Sequence, residues 1–405
     1  MTEPWQTHPL RDVCRFSNGL WKGETPPFAN VGVIRISNFT KEGTLDYSGI
    51  TYLDVETAKL EKRRLQYGDI ILEKSGGGPK QPVGRVALFD RQAGDFSFSN
   101  FTASLRVLAP DELDFRFLHG FLHWSYLSGI TEAIQSHSTG IRNLNADAYK
   151  AIEISYPPLP EQHRIVSILD EGFAAIATAR ADADQNLRDA REVFVSHLQS
   201  VFAEAWTACQ LVTLADLATD ITDGDHMPPP KSQEGVPFIT IGNIVKETRR
   251  IDFADTFMVP RAYFEALKAN KKPRPGDVLY TVTGSFGIPV IVDEGVEFCF
   301  QRHIGLIRPR PDINSMWLYY LLLSPQVFKQ ANEGATGAAQ RTVSLGLLRS
   351  FEVPRLARTK QEAIVAELNA IFAETERLAS IYERKLAALD ALKRSLLHQA
   401  FTGAL

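Results

Sequence analysis

Two glycine-rich segments of the chain carry residue types that bind phosphate. Residues 74–80 read Lys-Ser-Gly-Gly-Gly-Pro-Lys, which places sterically open backbone amides between two lysines. Backbone N–H groups, hydroxyls and lysines are common donors to nucleic-acid phosphates. Residues 283–285, Thr-Gly-Ser, stand at the matching place about 200 residues later. A glycine-rich turn is equally typical of an ordinary hairpin, so both interpretations stay open for the candidates Lys74, Ser75, Gly76, Lys80, Thr283 and Ser285.

Two polar segments place an arginine beside amide and hydroxyl side chains, the groups that read base edges. They are residues 136–143 and residues 336–342. We expect them to read bases or to clamp phosphates, with the candidates Ser138, Thr139, Arg142, Asn143, Thr336, Gln340 and Arg341. Further candidates belong to residue types that are also common in turns and caps: Asn38, His226, Asn243 and Arg302.

The net charge of the chain gives no direct indication of a nucleic-acid partner. The sequence has 44 basic and 48 acidic residues and a formal net charge of -4. A neutral domain still binds DNA when one of its faces is basic. Two small basic clusters, Lys62-Arg63-Arg64 and Lys271-Lys272-Pro273-Arg274, precede predicted strands. Each is interpreted either as solvated surface or as a phosphate contact.

The sequence predicts no catalytic residue and no metal site. An adenine methyltransferase holds its flipped base with a polar residue, two prolines and an aromatic residue, and Tyr156-Pro157-Pro158-Leu159 has neither outer residue type. His119 and His123 stand i, i+4 apart, but no glutamate occupies the metalloprotease position between them. Asp225-His226 has the residue types of an acid/base pair, but no serine or cysteine elbow accompanies it, which favours a turn or a DNA-facing loop.

Composition is typical of a folded protein of more than one domain. The chain has 405 residues, of which 44% are hydrophobic and 23% charged, enough for two or three domains. Its three cysteines, Cys14, Cys209 and Cys299, lie far apart, which excludes a disulfide scaffold and a cysteine-rich zinc site. No apolar run reaches the roughly 18 residues of a membrane span, and residues 1–10 lack a signal-peptide core. We therefore expect a cytoplasmic protein with no membrane partner.

The chain contains an internal duplication with an offset near 200 residues. Ile36-Ser37-Asn38 matches Ile241-Gly242-Asn243, and Gly68-Asp69 matches Gly276-Asp277. The order of such matches predicts two sister halves. Each half begins with a mixed region, in which strands are predicted at residues 33–36, 69–72, 238–241, 278–282 and 290–292, and helices at residues 115–127 and 315–322. We expect two mainly antiparallel α+β domains.

Each half ends in a predicted long helix whose apolar residues alternate steps of three and four, which is typical of a coiled-coil seam. The first seam, interrupted by Arg180 and His197, contains Val166, Leu169, Phe173, Ile176, Ala183, Leu187, Ala190, Phe194 and Val201. The second, interrupted by Thr375 and Lys393, contains Val365, Leu368, Phe372, Ala379, Tyr382, Leu386, Leu389, Leu396 and Ala400. Helices of about 44 residues are about 65 Å long and need a partner. We expect them to pair antiparallel, with the domains towards opposite ends; an oligomerisation stalk is the alternative.

Three segments resemble the specificity subunits of type I restriction-modification systems. They are Pro157-Pro158-Leu159-Pro160-Glu161-Gln162-His163-Arg164-Ile165-Val166 at a domain-to-helix junction, Ile221-Thr222-Asp223-Gly224-Asp225-His226, and Ser395-Leu396-Leu397-His398-Gln399-Ala400-Phe401-Thr402-Gly403. The resemblance spans the whole chain. The second junction, Ala357-Arg358-Thr359-Lys360-Gln361, departs from the pattern because no glutamate precedes the glutamine.

The resemblance implies a subunit that reads DNA and catalyses nothing. It implies target-recognition domains at 1–157 and 206–355, and long spacer helices at 158–205 and 356–405, each domain reading half of a bipartite double-stranded target. The helices would also dock two modification subunits, adenine N6-methyltransferases that bind S-adenosylmethionine. Restriction subunits would add ATP and magnesium, so this chain would hold no cofactor. The alternatives are a two-headed protein-binding scaffold with a coiled-coil dimerisation stalk and a stand-alone methyltransferase.

Overall fold

A computed structural model describes residues 4–20, 23–78, 81–138, 141–338 and 340–405. The chain forms two units: Met1–Asp184 with Arg384–Leu405, and Gln185–Glu383. The boundaries between the two units fall inside the two long helices, at residues 184/185 and 383/384. The domain boundaries predicted from the sequence lie instead at the ends of these helices.

The first unit contains short strands and short helices, which are followed in the chain by a long helix. Its strands are β1 (Gln6–Pro9), β2 (Cys14–Asn18), β3 (Phe28–Ile34), β4 (Thr51–Glu56), β5 (Ile70–Glu73), β6 (Ser75–Gly77), β7 (Val86–Leu88), β8 (Phe96–Phe98), β9 (Thr102–Val107), β10 (Gln135–Ser138), β11 (Ile141–Leu144) and β12 (Glu153–Tyr156). Its helices are α1 (Leu10–Val13), α2 (Thr57–Glu61), α3 (Phe115–Leu127), α4 (Ala146–Lys150) and the beginning of α5 (Leu159–Ala208).

The second unit has a similar element order. Its strands are β13 (Leu211–Thr213), β14 (Ala218–Asp223), β15 (Val236–Ile239), β16 (Ile244–Val245), β17 (Arg250–Ile251), β18 (Phe257–Val259), β19 (Val278–Thr281), β20 (Pro289–Ile291), β21 (Cys299–Phe300), β22 (Ile304–Pro309) and β23 (Glu352–Pro354). Its helices are the end of α5, α6 (Leu214–Leu217), α7 (Arg261–Ala266), α8 (Ser315–Leu323), α9 (Pro325–Gly334), α10 (Leu345–Arg349) and the beginning of α11 (Arg358–Phe401). The end of α11 belongs to the first unit.

The same sheets recur in both units. The antiparallel sheet β2-β9-β5-β7 of the first unit corresponds to β14-β22-β19-β20 of the second. The sheet β4-β3-β8, in which β3 and β8 are parallel, corresponds to β18-β15-β21, in which β15 and β21 are parallel. The pair β1-β12 corresponds to β13-β23. The predicted fold class and the predicted duplication are therefore confirmed.

A buried ion pair recurs at the two central strands of the larger sheet in each unit. Arg106 forms a bidentate pair with Asp69 at 2.6 Å, and Arg308 forms one with Asp277 at 2.7 and 3.0 Å. Both carboxylates are buried. Each also accepts from a backbone N–H three residues earlier, so the pair fixes the turn that leads into β5 or β19. The Gly-Asp motif found in the sequence thus has a structural role.

The two domain-to-helix junctions are held by one fully buried glutamine each. Gln162 accepts from the Asp114 N–H and donates to the carbonyls of Glu112 and Pro157. Gln361 repeats all three contacts with Asn314, Asp312 and Leu356. Because a buried amide must be hydrogen-bonded, each glutamine fixes its helix to the preceding domain. The missing glutamate of the second junction does not change this arrangement.

The two long helices pair antiparallel within each unit. In the first unit Arg164 Nη2 donates to the Leu405 carbonyl at 3.0 Å, while Arg180 pairs with Asp390. In the second unit Arg191 pairs with Glu383 at 2.7 Å, and His197 lies 2.8 Å from Glu367. In both units, contacts made by higher-numbered residues of α5 involve lower-numbered residues of α11. The predicted antiparallel pairing is therefore confirmed.

Most predicted seam positions are buried or half-buried. Buried positions include Val166, Leu169, Ile176, Phe194 and Leu368, and half-buried ones are Phe173, Leu187, Val365, Tyr382, Leu386, Leu389 and Leu396. Phe372 is the departure, because 43% of it is exposed although its ring packs edge-on against Phe194.

The four polar interruptions of the seams all have partners. Arg180 and His197 face Asp390 and Glu367 of the opposite helix, as described above. The Lys393 ammonium lies 5.2 Å from the centre of the Phe173 ring, and the buried Thr375 hydroxyl donates to the Phe372 carbonyl. The interruptions therefore pair side chains across the helices or satisfy themselves locally, and the seam continues through them.

Candidate nucleic-acid interface

In the first unit, the glycine-rich segment and the arginine-bearing segment lie side by side. Strand β6 pairs with β11, which pairs with β10. Asn143 stands opposite Ser75, and the Ser75 hydroxyl donates to the Asn143 side-chain oxygen. Gly76 has a φ of +103°, a conformation that a residue with a Cβ rarely adopts. The two predicted segments therefore form one surface.

Lys74 lies at the base of this surface. Its Nζ donates to Asn18 Oδ1 at 2.9 Å, and burial lowers the pKa of the Lys74 ammonium. Of the other candidates here, Lys80 and Thr139 lie outside the described residues. Ser138 is described by its backbone, which pairs with Ile141 at the end of β10.

The two predicted base-reading arginines are both engaged within their own units. Arg142 Nη1 donates to Glu132 Oε1 at 3.0 Å, and only 14% of the Arg142 side chain is exposed. Arg341 Nη1 donates to Asn332 Oδ1 at 2.8 Å near the C-terminal end of α9, where a cation is favoured by the helix dipole. Both arginines therefore anchor the segments that carry them.

The second unit presents an open cleft of about 340 Å³ at the corresponding place. It brings together the predicted residues His226, Thr283, Arg302 and Gln340. The other polar side chains of its lining were not candidates from the sequence: Asp223, His303, Thr342 and Ser344. Donors and acceptors of several kinds thus converge on one concave surface, as the reading of base edges requires.

The charged and polar groups of the cleft are partly ordered by one another. His226 Nε2 lies 2.8 Å from Asp223 Oδ2. The two residues stand at positions i and i+3 of the sequence, and this spacing could have identified Asp223 as a candidate. Burial, and next the charge of Arg302, lowers the pKa of His303. His303 is therefore neutral near pH 7 and offers one donor and one acceptor nitrogen.

Two further candidates of the second unit lie near the cleft. Thr336 exchanges backbone hydrogen bonds with Thr342, and Thr342 forms a bridge to Thr283. The exposed Ser285 does not line the cleft, and its carbonyl accepts from the Thr281 hydroxyl at 2.8 Å.

Asn38 and Asn243 are buried turn residues. The Asn38 side chain accepts from the Arg35 N–H and donates to the Asp46 carbonyl. Asn243 does the same with Thr240 and Asp252. Their amides are occupied inside the fold, so neither residue belongs to the interface considered below.

His119 and His123 lie inside the first unit with their rings stacked 6.2 Å apart. Burial lowers the pKa of His119 to about 4 and that of His123 to about 3. Across the described ranges, no three histidine, cysteine, aspartate or glutamate side chains are grouped so that they would hold a metal ion.

No helix in the described part of the chain has the length and hydropathy needed to cross a bilayer.

Comparison with known proteins shows which families this chain resembles. A family model for the type I restriction modification DNA specificity domain matches residues 2–183. The EcoKI specificity subunit of Escherichia coli (strain K12) is 25% identical over 395 residues, which cover 92% of this chain and 82% of that relative. The EcoBI specificity subunit of Escherichia coli is 23% identical over 321 residues, which cover 73% of this chain and 66% of that relative.

Solved structures share the fold. The HsdS subunit from Thermoanaerobacter tengcongensis superposes with a TM-score of 0.65 at 19% identity, covering 99% of this chain and 97% of that one. A chain from a structure that addresses complex assembly and conformational transition of the type I R-M system superposes with a TM-score of 0.79 at 20% identity, with full coverage of both chains. The family match over residues 2–183, these relatives and the duplicated fold make the chain similar to the specificity subunits of type I restriction-modification systems.

Proposed function

We propose that the chain reads a bipartite target in double-stranded DNA, one half-site with each unit, and that it catalyses no reaction itself. The first unit reads through the surface of β6 and β11, and the second through the cleft that contains Thr283, Arg302 and Gln340. Asn143, Arg302 and Gln340 supply forked or paired hydrogen-bonding groups to base edges, while Lys74 and the backbone amides of β6 contact phosphates.

One observation carries the proposal: two copies of one fold bring polar candidate residues to the same strand position. Ser75 follows β5 as Thr283 follows β19, and each lies beside a segment that holds an arginine, Arg142 or Arg341. A single surface of this kind is common in proteins. Two equivalent surfaces with different side chains are what a split target with two different halves requires.

Chemistry belongs to other polypeptides in this proposal. Two modification subunits dock on the long helices, bind S-adenosylmethionine and methylate adenine at N6. Restriction subunits join the same complex and supply ATP- and magnesium-dependent cleavage. The names of the relatives, which are specificity subunits of type I restriction enzymes, support this division.

The adenine methylation map of cells with and without this chain tests the proposal. We expect one split motif to lose its methylation when the chain is absent. A duplex with that motif is then titrated with the chain in complex with its modification subunits at several salt concentrations. Affinity should fall steeply with salt, because each phosphate contact contributes a slope of about -0.9 in log K against log salt.

Two results would contradict the proposal. Methyl transfer by the pure chain would show an enzyme, and absence of duplex affinity in the presence of the modification subunits would favour a protein-binding scaffold. The same titration with a scrambled duplex is the control, and it should show the weaker, sequence-independent part of the binding.

A further inference from the structure

The larger sheet of the first unit carries a basic pocket of about 120 Å³. Ser17 on β2 and Ser104 on β9 are cross-strand partners and line it together. Arg15 and Arg106, the next cross-strand pair on the same face, also line it. Lys62, Arg63 and Arg64, which follow α2, complete the cationic lining, and Glu61 at the end of α2 adds one carboxylate to it. Small hydroxyls surrounded by cations match the shape and charge of a phosphate group.

Three of the five cationic side chains in the lining have no carboxylate partner among the described residues, so the pocket stays positive although Glu61 also lines it. Arg106 is paired with Asp69, and Arg64 is paired with Asp95. In the part of the chain that the structure describes, Arg15, Lys62 and Arg63 form no ion pair with a carboxylate. Grouped like charges repel one another, so an anion bound among them is favoured.

The second unit has the same turn but different charges. Arg106 donates to the Arg64 carbonyl, and Arg308 donates to the Lys272 carbonyl, so Lys62 corresponds in position to Asn270. Opposite Arg308, where the first unit has Arg15 opposite Arg106, stands Asp220.

Part of the charge of the second unit's turn is balanced internally. Asn270 Nδ2 lies 3.4 Å from Asp220 Oδ1. Lys271, which corresponds to Arg63, donates to the Gly224 carbonyl at 2.8 Å and lies 3.9 Å from Asp223. Arg15 and Lys62 therefore have no basic counterpart in the second unit, where Asp220 and Asn270 stand instead, although Arg274 there replaces Gln66.

The basic pocket is adjacent to the surface assigned to DNA. Arg63 Nε donates to the Asn18 carbonyl at 3.0 Å, and Lys74 Nζ donates to the Asn18 side chain at 2.9 Å. One residue thus links the pocket to β6. A duplex lying on β6 and β11 would bring its backbone to the same edge of the unit.

We propose that Arg15, Lys62 and Arg63 form a binding site for one backbone phosphate of the DNA duplex, beside the half-site read by the first unit, and that the second unit has no equivalent. This inference rests on the proposed function. It assigns to the first unit a larger share of the sequence-independent, salt-sensitive affinity.

The test uses the chain in complex with its modification subunits and the duplex defined by the methylation map. The double variant Arg15→Gln/Lys62→Gln should bind roughly tenfold more weakly, because charge-assisted contacts are lost. Its salt slope should be shallower by about 1. The matched control Arg11→Gln/Lys41→Gln removes the same charge from exposed positions of the same unit and should leave both quantities unchanged. The methylated motif should stay the same.

A second arm locates the contact on the DNA. Duplexes with single uncharged methylphosphonates are scanned along the backbone beside the first half-site. One position should weaken binding of the unchanged chain and have no further effect on the double variant. If no position behaves in this way, or if the double variant matches the unchanged chain in affinity and salt slope, the phosphate site is wrong while the proposed function stands.

A third arm distinguishes duplex phosphate from free phosphate. If inorganic phosphate raises the melting temperature of the unchanged chain but not of the double variant, and DNA binding is equal in both, the pocket binds a free anion and the proposal is overturned. If the unchanged complex shows no affinity for the duplex at all, the proposed function itself fails, which is a distinguishable result.

Discussion

The interiors of the two units are nearly the same, whereas the surfaces assigned to DNA differ. Both interiors contain the same sheets, the same bidentate ion pair and the same junction glutamine. At the surface, the first unit has the sheet β10-β11-β6, while the second has isolated bridges between Thr283, Thr336 and Thr342 beside an open cleft. Packing restricts the interior and leaves the surface free to vary. In the proposed function, this division would allow one fold to read two different half-sites.

The shared ion pair gives the largest expected effect. Asp277→Asn should destabilise the second unit by about 3 kcal/mol, because it leaves the Arg308 guanidinium without its charge partner in a mostly buried position. Asp69→Asn should cost the first unit less, because 35% of the Arg106 side chain is exposed against 15% for Arg308. Thermal unfolding of the full chain measures both, with the exposed Asp293→Asn as the control. Equal losses would contradict the role given to burial.

The stability of the two units should depend differently on pH in acid. Burial holds the pKa of His119 near 4, against its ordinary value of 6.5. Unfolding therefore takes up a proton below pH 6.5, and stability falls as pH falls towards the folded-state value, by about 2 kcal/mol at pH 5 for His119 alone. Measured from the N-caps Asp114 and Asn314, the position in α8 that corresponds to His119 is Tyr319.

Between pH 7 and pH 5 the first unit should therefore lose more stability than the second, and His119→Gln/His123→Leu should reduce that difference. Unfolding transitions of the full chain at the two pH values measure it. A first-unit transition that does not move between pH 7 and pH 5 would show that the buried imidazoles do not control the acid response.

Much of this fold was predictable from the sequence because local signals agree with the packing. Helix α3 was predicted at its observed bounds, since Asp114 caps it and its apolar residues face the core. The strand predicted at residues 33–36 was observed as Phe28–Ile34, because the beginning of β3 has no regular alternation to read. The seams of the long helices were also predictable, because a long periodic pattern of apolar residues is compatible with few structures other than a helix.

The interface was less predictable because it depends on non-local pairing. Ser75 and Asn143 were both candidates, but the sequence does not show that β6 pairs with β11. Asn38 and Asn243 resemble exposed polar residues in the sequence, and only burial identifies them as turn residues. Arg15 gave no signal, because its position is defined by its cross-strand partner Arg106.

Removing one arginine from each interface should separate the half-sites. Arg142→Ala should weaken recognition of the first half-site and Arg341→Ala that of the second, each roughly tenfold in affinity for the intact duplex. Competition with duplexes altered in one half-site measures which half each variant has lost. Glu132→Gln is the control for Arg142: it removes the anchor but keeps the arginine, so it should retain specificity. Equal loss at both half-sites would contradict the assignment of one unit to each half.

The polar interruptions of the seams should give the smallest effect. Arg180→Ala removes the exposed pair with Asp390, and such pairs contribute about 0.2–1 kcal/mol. The pair between Arg180 and Asp390 should contribute more to the register of the two helices than to the free energy of unfolding. An acidic residue at position 180 would repel Asp390. Arg180→Asp should therefore destabilise the first unit more than Arg180→Ala does, and Arg180→Asp/Asp390→Arg should recover most of that loss. A double-mutant cycle by thermal unfolding measures the coupling between the two positions. A coupling of zero would mean that the apolar seam alone sets the antiparallel register in the first unit.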